Sequence, residues 1–148
     1  MLQSAAANAG ETLFARNIQV LALELNGWLA QARRDRDSAI ALVRQAAELE
    51  ESTPKHAVTP APTLPGYELL GDLLLEQEKP AEALAAYRRA LEHHPGRFNS
   101  LLGAARAARG SGANADARKL YQQLLDVAGE GTRIAALDEA RAFISPEK

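Results

Sequence analysis

Cysteine is absent from the 148-residue sequence, which removes disulfide frameworks, thiolate nucleophiles and cysteine-ligated zinc from consideration. An excess of charge of one sign is missing as well. Seventeen Lys and Arg stand against nineteen Asp and Glu, for a net charge of -2, so no positive field is available to hold a phosphate backbone, and nucleic acid is not an expected partner. No run approaches the roughly 18 apolar residues that would span a bilayer. The start, MLQSAAANAGETLF, lacks a basic segment followed by a sustained apolar one, so a soluble, cytoplasmic protein without a membrane span is expected. Aromatic residues make up only 5% and β-branched runs are missing, which disfavours a sheet. Nucleophile elbows, phosphate loops, dinucleotide glycine patterns and His-Glu-x-x-His arrays are all absent, so neither enzymatic activity nor a cofactor is expected.

What is present is alanine, leucine and helical periodicity. From Glu11 to about Arg34, Leu13, Phe14, Ile18, Leu21, Leu25, Trp28 and Leu29 recur at steps of three and four, which predicts a long helix. Arg33 to Asp37 is polar enough to be a turn, with Asp37 or Ser38 as helix cap before a second helix that ends near Glu51. Residues 1 to 10 are small and polar and are expected to fray. Ser52 to Pro65, STPKHAVTPAPTLP, carries four prolines in fourteen residues and must be extended or turning. It is either a surface connector or an ordered loop folded over an inner face.

The stretch Leu64 to Pro95 reads as one complete two-helix unit. Tyr67, Leu70, Gly71 and Leu74 share one face of a first helix. Ala83, Tyr87 and Ala90 share one face of a second, closed by Pro95. Counted from Leu64, an aromatic at position 4, Leu at 7, Gly at 8, Ala at 20, an aromatic at 24, Ala at 27 and Pro at 32 resemble the tetratricopeptide repeat. Residues 98–131 continue at a strict 34-residue period, with Leu101, Ala104, Ala105, Ala117, Tyr121 and Leu124 in register and Gly129 replacing the usual Pro. Residues 20–53 form a degenerate earlier copy, in which Gly27, Ala39 and Ala46 fit while Asn26 and Val43 depart from the pattern. Together with KPAEALAAY and NSLLGAARAA, the Pro-rich stretch is also similar to the C-terminal part of larger bacterial proteins that carry these repeats.

That resemblance implies an all-α, right-handed superhelix of antiparallel hairpins, about seven helices in one domain over residues 11–145. An insert falls at 54–63, and an amphipathic cap at 132–143 turns Ile134, Leu137, Ala140 and Phe143 inward. It further implies a concave wall made by the first helix of each repeat. The expected groove residues are Glu24, Trp28 and Gln31 in the first unit, Glu68, Asp72 and Glu76 in the second, and Asn99, Arg106 and Arg109 in the third.

The implied function is non-enzymatic: a scaffold holding a peptide or partner domain, with acidic groove residues suiting a basic segment and the arginines an acidic one. Asp72 and Arg106 could equally pair with each other. A second reading is a structural or homodimeric assembly through Leu13, Phe14 and Ile18, and a third is an accessory domain of a larger enzyme. His93 and His94 end a helix where their charge complements its dipole, and His56 has no second ligand at local spacing, so no metal site is expected.

Overall fold

The computed structural model describes residues 12–53, 64–129, 132 and 134–145. The expected frayed terminus, the insert 54–63 and His56 lie outside these residues. Seven helices and no strand occur among the described residues. The architecture is an all-α succession of helix hairpins, the class that the sequence implies. The chain forms two compact units, Met1–Leu70 and Gly71–Lys148.

In the first unit, α1 (Thr12–Ala32) packs against α2 (Arg36–Glu51). Only Arg16 and Glu24 of the 21 residues of α1 are charged. The face it lays on α2 is the small one, with Val20, Gly27 and Ala30 buried, opposite Ala39, Val43, Ala46 and Ala47. At Gly27 the helices come so close that an added Cβ would lie 2.4 Å from Val43 Cγ2. The turn passes through Arg34 at φ 63, and α2 is capped by Asp35, whose carboxylate accepts from the Ser38 amide at 3.2 Å. The cap therefore precedes the expected Asp37 or Ser38, because the helix already starts at Arg36.

The third helix, α3 (Gly66–Glu76), begins in this unit. Its first amide, Gly66 N–H, donates to Glu50 Oε2 at 2.6 Å, so an acceptor carboxylate sits where helix-start donors would otherwise be orphaned. Tyr67 Oη reaches Glu51 at 3.4 Å.

The second unit takes the last six residues of α3, then α4 (Pro80–His93), α5 (Phe98–Gly110), α6 (Asn114–Ala128) and α7 (Ala135–Ile144). Pro80 opens α4 at a position where its missing N–H costs nothing, and His93 and His94 close it. The Tyr87 ring is buried between two glycines: a Cβ at Gly71 would lie 2.7 Å from Tyr87 Cζ, and one at Gly103 only 2.2 Å from it. Farther along, Leu101, Ala105, Tyr121, Leu124, Leu137 and Ala140 form one apolar cluster, so α7 covers the face that α5 and α6 leave open.

The cap is shorter than the sequence pattern implies. It starts at Ala135 because Ile134 is extended, at φ -140 and ψ 150, and 45% exposed rather than turned inward. Phe143 lies on Tyr121 with ring centroids 5.2 Å apart, and the Arg118 guanidinium stands over it at 5.7 Å.

Candidate interaction surface

The residues expected to line a groove have three different fates. Those on α1 do not share one environment. Trp28 is exposed and Gln31 half-buried, whereas Glu24 points into the protein with 8% of its surface accessible and Oε1 without a hydrogen-bond partner. Burial, followed by the charge of Glu50, raises its carboxyl from the ordinary 4.5 to about 7. Glu68 is buried as well, at 1% exposure. Neither carboxylate stands on an open surface.

On the second-unit part of α3, Asp72 is half-buried and accepts a 2.5 Å hydrogen bond from Tyr87 Oη, while Glu76 is exposed. The ring that the two glycines clasp is thus also anchored at its hydroxyl. On α5 the inward face is filled by Ser100, Leu101, Gly103, Ala104, Ala105, Ala107 and Ala108. Asn99, Arg106 and Arg109 are left exposed on the same helix.

The two arginines converge on Glu139 of α7. Arg106 Nε and Nη2 approach Glu139 Oε2 at 3.1 and 2.7 Å, and Arg109 Nη1 approaches Oε1 at 3.5 Å. Tyr121 Oη donates to the same carboxylate at 2.5 Å. The hydrogen bond from Arg106 is the main reason that Glu139 is held below its ordinary carboxylate range. The same bond raises Arg106. Burial first, then Glu139, pushes Tyr121 up to about 12.

Arg106 therefore reaches Glu139 rather than Asp72. The partner was not visible in the repeat pattern because Glu139 lies on the cap, outside the repeated units. Its place between the inward Leu137 and Ala140 was the only signal in the sequence.

An open pocket of about 430 Å³ lies between Leu91, Pro95, Leu101 and Val127, with Asp126 as its single charged lining residue. Such a lining offers no convergent pair of titratable groups for acid–base work. Among the described residues, no group of three His, Asp or Glu side chains is placed to hold a metal ion, and no helix is long and apolar enough to cross a membrane.

Residues 74–144 match the tetratricopeptide repeat family. Among solved structures, the chain is similar to the first tetratricopeptide-repeat domain of the human RPAP3 protein, determined by NMR. Identity is 16% and the TM-score 0.65, over 84% of this chain and 89% of that one. At that identity the likeness establishes the fold. No protein of curated function matches the chain in sequence.

Proposed function

From the premise that residues 74–144 match the tetratricopeptide repeat family, a general protein-interaction scaffold, we propose that this chain is a non-catalytic module that holds a peptide or partner domain on its second unit, along α5 and the second-unit part of α3. The observation that carries the reading is the division of labour on α5. Seven residues of that helix fill the core, and Asn99, Arg106 and Arg109 project from the same rigid rod without being needed for packing. Arg106 already pairs with a carboxylate, that of Glu139, through its planar fork, the same chemistry a ligand carboxylate would use.

The chemistry recognised follows from what remains exposed. Two arginines and an asparagine suit a segment bearing a carboxylate, which would share or displace Glu139. On α3, Glu76 is the exposed acidic group and Asp72 the half-buried one, while Glu24 and Glu68 are buried. The contacts are charge-assisted and solvent-accessible, so affinity should fall with salt.

Selection from a displayed peptide library against the full chain tests this. Acidic peptides should be enriched by the wild-type chain and lost with Arg106→Ala combined with Arg109→Ala, while Asp72→Lys combined with Glu76→Lys should change which basic positions are preferred. Enrichment of the same peptides by all three proteins would overturn the groove reading.

A further inference from the structure

The first helix is apolar on two opposite sides, and only one of them is used. Val20, Gly27 and Ala30 are buried, with Gly27 against α2, while Phe14 is 50% exposed, Leu21 60%, Leu25 61% and Trp28 43%. A helix that is hydrophobic all round is ordinarily buried all round. These four residues, with Ile18 among them, are spaced by alternate steps of four and three: 14, 18, 21, 25, 28. That is the seam of a left-handed helix pair, in which side chains of one helix fit between those of another.

We propose that α1 is a self-association surface, and that its occupant is the α1 of a second copy of this chain. Three features of the stripe favour a copy of itself. The first is charge. Arg16 and Glu24 are the only charged residues of the helix, Glu24 is on the buried side, and the seam positions carry none, so two copies meet without opposed like charges. The second is area. The exposed fractions of these side chains amount to roughly 400–500 Å² of apolar surface per copy, the size of the largest patch a monomer ordinarily exposes and often a functional one, and two copies cover about 800–1,000 Å², the lower end of what a specific interface needs.

The third is shape. In an antiparallel pairing that sets Leu21 against the second copy's Leu25, Ile18 meets Trp28 and Phe14 meets Ala32, so each ring faces a smaller side chain. The arrangement is two-fold and closes on itself, giving a dimer rather than a filament.

Mass in solution tests this, by sedimentation equilibrium of the full chain from about 1 to 500 μM, together with the fluorescence of Trp28, the only tryptophan. A mass twice that of the chain is expected at the upper concentrations, with Trp28 emission shifting to the blue as the dimer forms. Leu25→Glu and Leu21→Glu replace exposed side chains and should each give a monomer of unchanged helical content with red-shifted Trp28 emission. Leu25 is not one of the proposed groove residues, so Leu25→Glu should retain the peptide preferences of the parent, which keeps failure of the dimer distinct from failure of the groove.

A monomer throughout the range would overturn the proposal and point to a helix from another chain as the occupant. A dimer unchanged by both substitutions would overturn it too, placing self-association elsewhere.

Discussion

Glu24 and Glu139 are both helical glutamates at expected or actual sites of contact, and their surroundings move them in opposite directions. At Glu24, burial and the nearby Glu50 favour the protonated acid, up to about 7. Between its ordinary 4.5 and about 7 the folded chain therefore binds more proton than the unfolded one, so the contribution of Glu24 to stability falls as pH rises through that window. Above it, the charge has to be buried. Glu24→Gln should flatten this dependence and exceed the wild type at about pH 8 by on the order of 2 kcal/mol, read from urea midpoints at about pH 5 and pH 8.

Glu139 behaves in the opposite sense: held low mainly by Arg106, it stabilises at pH above the ordinary carboxylate range, and that contribution is lost as pH falls through its lowered value. Arg106 is about half-exposed, so the ion pair itself is worth little. The larger cost of Glu139→Ala is the stranded hydroxyl of the buried Tyr121, roughly 1–3 kcal/mol. Glu139→Gln keeps an acceptor and should cost less, and the gap between the two thermal midpoints measures how much the tyrosine matters.

At the scale of the helix, packing is set by where side chains are missing. A glycine in a helix interior costs about 1 kcal/mol relative to alanine, so Gly103→Ala should stabilise α5 if nothing lay across it. Tyr87 does, with Cζ at 2.2 Å and Oη at 2.6 Å from the added carbon, and its hydroxyl is tied to Asp72, so the ring cannot swing aside freely. Overpacking should outweigh propensity, leaving Gly103→Ala less stable by about 1–3 kcal/mol in chemical denaturation. Gly110→Ala, whose nearest neighbour is Pro80 Cβ at 3.1 Å, should be far milder.

This contact shows what could be read in advance. Gly71 opposite Tyr87, Gly27 opposite Val43 and Ala105 in the same cluster as Tyr121 are one small-to-large pairing repeated along the chain, so a 34-residue period reveals it. Gly103, against Tyr87, joins one repeat to the next within the second unit and has no counterpart in the repeat pattern. Its only trace was a glycine in mid-helix with no assigned job.

Over the whole molecule, helix count and order were legible because alanine-rich amphipathic segments between turns leave little choice of structure. Two things were not. One was Glu24: the repeat register sets Gly27 inward and Trp28 outward, as found, but Glu24, expected beside Trp28 on the open wall, is buried. The other was Glu139, whose role depends on how α7 docks rather than on local pattern.

The helix α7 has an energetic role that follows from its place over Leu101, Tyr121 and Leu124. Without α7, Leu101, Tyr121 and Leu124 would lose Leu137, Ala140 and Phe143 from their cluster, and Arg106 and Arg109 would lose Glu139. Truncation before Thr132 should therefore lower the thermal midpoint by several degrees and raise binding of an apolar dye. It should also free the arginines, so acidic peptides still bound by the truncated chain below its midpoint should bind more tightly than to the parent. Weaker binding by a still-helical truncated chain would show instead that α7 contributes to the recognition surface, with Glu139 acting to hold the arginines in place for the ligand.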